Sequence, residues 1–438
     1  PTDGILAVAA AFQAGWLEHL TSRWGRATNG GVRYYLMDNE WGLWHETHRD
    51  VHKVGSTMEQ MRDRFCDHAL LVKAHDADAL VLGPEEWGWT GYFYSGYDSQ
   101  YASEHGWSSF PDRAAHGGQD LMPWLLKEIR QRSEAAGQRL LDVFTLHFYP
   151  QSGEFGNDVS TTAQLRRNRS TRALWDPSYV DSSWIDDTVK LIPRMKQWAT
   201  NYPGTLLGIT EYNWGAEEHI NGATAQADIL GLFGREGLDL AARWVVPETG
   251  TPVYRAFQIY RNYDGARSTF GETSVRATGG NPDQLAAFAA VRAKDAALTV
   301  VVINKTLDRA TPVTLSLSDF PAASPAQVWQ LTSANTITRL ADLAVTGAVV
   351  SNEVPAQSIT LLVVPSAAPR LQLAASTQPG WYTLTLHGVA GQPYVTEVSS
   401  DLAAWTALTT NTAISNVLTI PIEQPPTIAQ FYRARLNP

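Results

Sequence analysis

The amino-acid sequence predicts a parallel α/β domain followed by all-β structure. Over roughly the first 260 residues, apolar strand-like runs alternate with segments of helical period, which is typical of repeated βα units. After about residue 266 the pattern changes to short strands and turns, and a Ser-Ala-Ala-Pro stretch separates a last β piece. We therefore expect an α/β portion at 1–265, a β-sandwich at 266–367 and a small β domain at 368–438.

The α/β portion contains five predicted strands and five predicted helices. The strands are apolar runs bounded by turn residues, at 31–38, 79–83, 140–148, 205–210 and 240–246. The helices lie at 5–25 and at about 56–75, 119–136, 181–201 and 223–236. The helices between strands are long enough to cross back over a sheet, so we expect right-handed crossovers between parallel strands.

Charge and hydropathy exclude two classes of partner. The formal net charge is -10, and no run of Lys or Arg follows aromatic residues as a nucleic-acid footprint would. No stretch approaches the roughly 18 to 20 apolar residues of a membrane span. The sequence therefore predicts neither nucleic acid nor a membrane as partner.

Polar residues end three of the five predicted strands. The first strand runs into "DNE" with Glu40 last, His147 and Tyr149 lie at the end of the third, and Glu211 directly follows the fourth. Ligands of parallel α/β proteins lie at the carboxyl ends of the strands, so two carboxylates are expected to face one cleft. Glycoside hydrolysis needs one carboxylic acid and one carboxylate, and Glu40 and Glu211 can supply both.

Aromatic residues accumulate near these strand ends, and 13 of the 16 tryptophans precede residue 265. The aromatic residues near the strand ends are Trp41, Trp44, Trp87, Trp89, Tyr92, Phe93, Tyr94, Tyr97, Trp107, Trp214 and Trp244. Aromatic faces suit the apolar faces of sugar rings, so a neutral polysaccharide fits this composition. The structural alternative is that the acidic strand ends cap helices and the tryptophans belong to the core.

Two further clusters compete for a functional role. Glu85 and Glu86 follow the second predicted strand among aromatic residues, and Glu86 is a reserve candidate for the acid. The histidines of "LWHETHRDVH" at 43–52 lack the His-Glu-x-x-His spacing of a zinc site, so they are interpreted as cleft or surface residues.

No cofactor is expected to be required for catalysis. A structural calcium ion is compatible with the acidic loops, although no continuous ligand pattern marks its site.

Several stretches resemble the hallmark sequences of glycoside hydrolase family 44. They are "DNEWGLW", "LHFYP", "STRALWDPSYVDSSWI", "ITEYNWG" and "YDGARSTFGETSV", and the resemblance runs from about residue 1 to 365. It implies a retaining (β/α)8 TIM barrel followed by a β-sandwich. The piece after residue 368 resembles the accessory modules of secreted bacterial hydrolases.

The resemblance also implies roles for individual residues. Glu40 would be the acid/base at the end of the fourth barrel strand, and Glu211 would be the nucleophile at the end of the seventh. Asn39 would contact the 2-hydroxyl at the cleavage point, and Trp244 would form a stacking floor. The full set of substrate-binding candidates is Asn39, Trp44, Trp87, Trp89, His147, Tyr149, Tyr212, Trp214 and Trp244.

The implied activity is endo-cleavage of β-1,4-glucan backbones such as xyloglucan and soluble cellulose, with retention of configuration. The alternatives are a hydrolase of the same clan acting on xylan or mannan, a non-catalytic glycan-binding protein, and a structural surface protein that uses its β domains.

Secretion is expected because a polysaccharide cannot enter a cell intact. Since the strand that corresponds to the family's fourth begins at about residue 31, the first three βα units are expected from a companion chain or fragment. Without them an open sheet edge would favour aggregation.

Overall fold

The computed structural model describes residues 9–423 and 429–437. The chain divides into two compact units. The first, called the parallel-sheet unit, comprises the described residues up to Asp158 together with Ser170–Gly215 and Leu232–Val246. The second, called the antiparallel-sheet unit, comprises Val159–Arg169, Ala216–Gly231 and the described residues from Pro247 onward. The division into three domains stays a prediction.

The parallel-sheet unit is built on one five-stranded sheet. Its strands are β1 (Tyr34–Leu36), β2 (Leu80–Glu86), β3 (Val143–Phe148), β4 (Leu206–Tyr212) and β5 (Leu240–Ala241). They follow one another in chain order across the sheet, and every neighbouring pair is parallel. All six residues of β3 are buried, which explains its continuous apolar sequence. The five predicted strands are confirmed, with shifted ends.

Helices of this unit connect the strands and supply much of its buried apolar surface. They are Ala14–Trp24, Trp44–Thr47, Met58–His75, Trp89–Phe93, Gly96–His105, Pro111–Ala115, Leu121–Ala136 and Leu191–Ala199, with 3-10 turns at Ala10–Gln13, Ala27–Asn29, Trp41–Leu43 and Thr171–Leu174. The Met58–His75 helix begins with a capping box between Thr57 and Gln60. Residues 5–8 of the first predicted helix lie outside the described residues.

Several predicted elements are shorter than expected, and the strand predicted at 31–38 spans only Tyr34–Leu36. The helix predicted at 181–201 begins only at Leu191, because the Asp181 carboxylate accepts a hydrogen bond from the Ser183 amide and holds a local turn. The strand predicted at 240–246 ends at Ala241. The apolar residues beyond it leave the sheet, and Val246 is 83% exposed.

The antiparallel-sheet unit consists mainly of strands. Its helical residues belong to Thr161–Ser170 and Ile220–Glu236, which both also reach the other unit, and to Pro252–Arg261. The strands are β6 (Thr273–Val275), β7 (Leu285–Val291), β8 (Leu298–Asn304), β9 (Thr311–Ser316), β10 (Ala326–Leu331), β11 (Thr338–Leu343), β12 (Val349–Val354) and β13 (Ser358–Val364). They form a six-stranded sheet in the order β11-β10-β13-β8-β7-β6 and a β12-β9 pair. Side chains from both sheets, including Val302, Val350 and Leu362, share one core.

The last described strands form two small antiparallel sheets. The strands are β14 (Arg370–Ala375), β15 (Trp381–His387), β16 (Pro393–Ser399), β17 (Thr406–Thr412), β18 (Val417–Glu423) and β19 (Phe431–Leu436). Their orders are β14-β15-β18 and β17-β16-β19, and Leu386, Tyr394 and Ala413 form their buried centre. No helix among the described residues is long and apolar enough to cross a membrane.

Candidate active site

Glu40 lies in the loop after β1, four residues beyond its last residue, on left-handed backbone with φ 50° and ψ 54°. Its amide donates a hydrogen bond of 3.0 Å to the carbonyl of Glu85, which is also left-handed at φ 59°. Residues other than glycine rarely adopt this conformation, and such backbone concentrates at functional sites. The ends of β1 and β2 are thus tied together at the residue predicted to be the acid.

His147, near the end of β3, is the centre of a carboxylate cluster. The side chain is 1% exposed, and its Nδ1 lies 2.9 Å from Glu40 Oε1 and 3.6 Å from Glu211 Oε2. Its Nε2 lies 3.1 Å from Glu85 Oε2. One carboxylate oxygen of Glu40, one of Glu211 and a ring nitrogen of His147 all lie within 4.8 Å of one another. The structure therefore brings together the two carboxylates that the sequence placed at one sheet edge.

The charge state of His147 follows from these contacts. Burial opposes a charge on the ring, but hydrogen bonds to Glu40 and Glu85 and the nearby charge of Glu211 outweigh it and raise the pKa of His147 to about 9. The ring is therefore protonated on both nitrogens at neutral pH, and both nitrogens donate hydrogen bonds.

Glu211 ends its strand beside a tyrosine hydroxyl. The Tyr149 hydroxyl donates a hydrogen bond of 2.8 Å to Glu211 Oε2. Burial and this hydrogen bond raise the pKa of Tyr149 well above its ordinary value, so the hydroxyl keeps its proton. The side chains of Glu40 and Glu211 are 24% and 16% exposed, so both carboxylates are reachable from solvent.

Glu86, the reserve candidate for the acid, points away from solvent. It is 0% exposed, and its Oε1 accepts a hydrogen bond of 3.0 Å from the Gly42 amide. A side chain at position 42 would put its Cβ 2.8 Å from Glu86 Oε2, so this approach requires glycine. Burial raises the pKa of Glu86 to about 8. Because Glu86 is buried beneath the loop that contains Gly42, its carboxyl group cannot reach a glycosidic oxygen. Glu40 is therefore the better candidate for the acid.

The protonated state of Glu86 should make stability depend on pH. The folded protein holds this proton up to about pH 8, whereas the unfolded chain releases it near 4.5, so stability falls as pH rises between these values. In Glu86→Gln the unfolding free energy should lose this dependence, which we expect to be on the order of a few kcal/mol. Thermal unfolding of parent and variant at several pH values between 5 and 8 checks this. Equal pH dependence in both proteins would contradict it.

Trp87 and Trp89 line a large open pocket beside the Glu40 loop, called here the aromatic pocket. Its volume is about 750 Å³. The lining residues are Leu43, His45, Glu46, Trp87, Trp89, Thr90, Phe93, Tyr94, Ser99, Ser103, Trp107, Trp184 and Asp187. Trp184 donates to Gln151, whose amide donates to the carbonyl of Tyr149. The wall of the pocket is therefore connected to the residue that holds Glu211.

Four predicted substrate contacts, His147 among them, are buried, and for Trp44, Tyr212 and Trp214 this corrects their placement in a cleft. Trp44 is 8% exposed, stacks on Trp41 and donates through Nε1 to the Asn39 carbonyl. Tyr212 and Trp214 are 1% and 2% exposed. Adjacent strand residues point to opposite faces, so Tyr212 points into the core when Glu211 faces the cleft. These side chains are occupied by packing.

Asn39 and Trp244 are exposed, as substrate contacts would require. Asn39 immediately precedes Glu40. Trp244 is 58% exposed and lies beyond β5, so it does not end a strand as expected. Its main chain is fixed, because its amide donates to the Tyr212 carbonyl and its own carbonyl accepts from the Asn213 amide group.

Sequence reasoning missed Thr145 and Thr210, and it treated Glu85 as a competitor of Glu40 rather than as a partner in the same cluster. Glu85 accepts hydrogen bonds from the hydroxyls of Thr145 and Thr210 as well as from His147. The alternation of strand side chains could have indicated Thr145, which lies two residues before His147 on the same strand. Nothing in the sequence indicates that Thr210 and Glu85 meet.

Two groups of described residues have the composition of a metal site. One is Glu40, His147 and Glu211, and the other is Glu59, Asp112 and His116. In the first group both nitrogens of His147 already donate to carboxylates. In the second, His116 Nε2 lies 2.8 Å from a Glu59 oxygen and its Nδ1 lies 2.7 Å from the Asp112 carbonyl. The calcium site stays a prediction.

Known proteins resemble this chain over most of its length. The solved structure of CelM2, described as a bifunctional glucanase-xylanase protein from a metagenome library, is 60% identical with a TM-score of 0.82, over 82% of this chain and 70% of that one. A Paenibacillus polymyxa xyloglucanase from glycoside hydrolase family 44 is 31% identical with a TM-score of 0.74, over 81% of this chain and 70% of that one. Endoglucanase A of Paenibacillus lautus is 32% identical over 323 residues, which are 71% of this chain and 45% of that protein. The chain spans less than half the length of the curated relatives that it matches.

The family match covers part of the cluster and ends before Glu211. Residues 1–152, which include Glu40, Glu85 and His147, match glycoside hydrolase family 44 directly. Together with the identity to the solved family 44 xyloglucanase over 70% of its length, this match establishes that the chain belongs to glycoside hydrolase family 44.

Proposed function

We propose that this protein is a retaining endo-β-1,4-glucanase that cleaves xyloglucan and soluble cellulose, with Glu40 as acid/base and Glu211 as nucleophile. The observation that carries the proposal is the cluster in which oxygens of both carboxylates and a nitrogen of His147 lie within 4.8 Å of one another. Retaining enzymes place the two carboxyl groups about 5 to 5.5 Å apart, whereas inverting enzymes leave about 6.5 to 9.5 Å for a water molecule. Oxygens of the two carboxylates that lie within 4.8 Å of each other support the closer, retaining arrangement.

The proposed reaction has two steps. Glu40 gives its proton to the glycosidic oxygen while Glu211 attacks the anomeric carbon, so the bond to the leaving sugar breaks and an ester forms. Glu40 then takes a proton from water, the water oxygen attacks the same carbon, and Glu211 departs as a carboxylate. Tyr149 orients Glu211 through its hydroxyl. In this proposal β1 to β5 correspond to the fourth to eighth strands of a (β/α)8 barrel.

The aromatic pocket supports a polysaccharide substrate. Exposed rings of Trp107 and Trp184 offer stacking surfaces. A sugar presents apolar faces to such rings. The xyloglucanase and endoglucanase names of the relatives support a glucan backbone. Because such a polymer stays outside cells, we propose that the protein acts after secretion.

Xylan is the second candidate substrate. It is favoured by the 60% identity to CelM2, which is described as both a glucanase and a xylanase. The two-step reaction would be the same, because both polymers have β-1,4-linked backbones. The polymers differ in the groups that the walls of the aromatic pocket must accommodate.

Reducing-end release from xyloglucan, carboxymethyl cellulose, xylan and mannan tests this function. We expect release from the two glucans, and proton NMR of a fresh digest should show the β-anomer first. An α-anomer first would contradict retention. Binding to glucan without new reducing ends would instead indicate a glycan-binding protein.

Removing one ring of the aromatic pocket should weaken catalysis on the polymer. Trp184 is 55% exposed, so Trp184→Ala should leave stability nearly unchanged while lowering kcat/KM on xyloglucan about tenfold, which corresponds to about 1.4 kcal/mol of stacking. Trp24→Ala is the matched control, because Trp24 is 53% exposed and lies outside the pocket. Equal kinetics for the two variants would remove Trp184 from the binding surface.

A further inference from the structure

Glu85 lies behind His147 as seen from the two proposed catalytic carboxylates. The residue is 1% exposed. Its Oε2 lies 3.1 Å from His147 Nε2 and accepts a hydrogen bond from the Thr210 hydroxyl, and its Oε1 accepts from the Thr145 hydroxyl. Three donors from β3 and β4 therefore surround one carboxylate of β2.

A buried carboxylate without compensation would be very costly, so this set of donors explains how an ionised Glu85 is tolerated. The hydroxyls satisfy its lone pairs, and the imidazolium of His147 balances its charge. In return, Glu85 fixes the orientation of the ring and provides a negative charge for Nε2. The opposite nitrogen, Nδ1, then faces Glu40 and Glu211 as a donor.

We infer that Glu85 is a positioning residue that holds His147 as an imidazolium, so that its Nδ1–H can donate in turn to Glu211 and to Glu40. The inference rests on the proposed two-step reaction. Glu211 carries the negative charge before the first step, and Glu40 carries it once the ester has formed. Nδ1 lies 3.6 Å from the first carboxylate and 2.9 Å from the second, so a small movement changes the acceptor.

The charges balance in both states. With Glu85 ionised and His147 protonated, the buried pair is neutral throughout. The remaining negative charge moves from Glu211 to Glu40 during the first step and returns during the second. His147 neither gains nor loses a proton, so one fixed donor serves both carboxylates without a further proton transfer.

Several other titratable groups lie around the His147 ring. Those that face or border it are Glu40 after β1, Glu85 and Glu86 in β2, Tyr149 after β3 and Glu211 in β4. Glu86 differs from Glu85, because it contacts the Gly42 amide and is protonated below about pH 8. Of the two neighbouring glutamates, only Glu85 has a hydrogen bond to the ring among the described contacts.

The first experiment follows the His147 ring nitrogens by ¹⁵N NMR in the full chain, as a function of pH. In the parent we expect both nitrogens to be protonated at pH 7. In Glu85→Gln the ring should lose its charged partner, and its pKa should move down toward the ordinary value near 6.5. This readout requires no substrate.

The second experiment measures kinetics on xyloglucan with the same variant. We expect kcat to fall about a hundredfold, because the donor between the two carboxylates loses its orientation, while KM changes much less. The alkaline limb of the kcat profile should move to lower pH. A purely structural role would lower the amount of folded enzyme without moving that limb.

Two further variants separate this role from misfolding. Glu86→Gln is the matched control at pH 6 to 7, where it replaces a carboxyl group that is already uncharged, so both ring nitrogens of His147 should stay protonated there as in the parent. Thr210→Val removes one donor but keeps the charge of Glu85, so His147 should stay protonated at pH 7, in contrast to the ring in Glu85→Gln. Thermal unfolding shows whether each variant is folded.

An unchanged His147 titration in a folded Glu85→Gln protein would overturn the inference, and so would a change confined to KM. A parent that releases no sugar from any glucan would overturn the proposed function and the alternating donor with it. In that case the NMR titration would still decide separately whether Glu85 holds His147 in its charged form.

Discussion

Replacing Glu211 by glutamine is expected to lower kcat on xyloglucan by at least about a thousandfold, because the amide cannot form the ester intermediate. The fold should persist, since Glu211 is partly exposed and the amide can still accept the Tyr149 hydrogen bond. Initial rates at saturating substrate measure the loss. Glu104→Gln, an exposed position on the Gly96–His105 helix, is the matched control and should retain full activity.

The role of Glu211 can be identified by chemical rescue. In Glu211→Ala, azide can occupy the space of the missing carboxylate and attack from that face, so an aryl cellobioside with a good leaving group should give the α-glycosyl azide. A β-glycosyl azide, or unchanged kcat in Glu211→Gln, would remove Glu211 as nucleophile.

Replacing Glu40 by glutamine should also lower kcat on xyloglucan by about a thousandfold, because the leaving oxygen then departs without a proton. The loss should depend on the leaving group. An aryl cellobioside with a strongly acidic phenol needs no protonation, so its first step should proceed at nearly the parent rate, seen as a burst of phenol before slow hydrolysis. The same large loss with both substrates would assign Glu40 a different role.

The placement of the two glutamates could be predicted because it follows from a general property of parallel sheets. Residues at the carboxyl ends of parallel strands meet at one edge; Glu40 lies four residues after the end of β1, and Glu211 is the penultimate residue of β4. Their convergence on His147 could not be predicted. It depends on the pairing register of β2, β3 and β4, including a bulge at Leu146/His147 that no sequence pattern marks.

The aromatic residues were harder to assign, because composition does not show the direction of a side chain. Tyr212 adjoins Glu211 on a strand, and alternation alone would have placed it in the core. Trp44 follows Glu40, whose backbone is left-handed. Because the left-handed residue is a glutamate and not a glycine, the sequence does not indicate this turn. Trp184 became a candidate for binding only when the folded chain brought it to the same pocket as Trp107.

The left-handed backbone at Glu40 also bears on how the gene can change. A single nucleotide substitution in a glutamate codon can give aspartate, glycine, alanine, valine, lysine or glutamine. Glycine adopts a φ of 50° without strain and aspartate does so more readily than most residues, whereas the β-branched valine does not. A lineage that abandons hydrolysis but keeps the protein as a carbohydrate receptor should therefore pass through glycine or aspartate at this codon more readily than through valine.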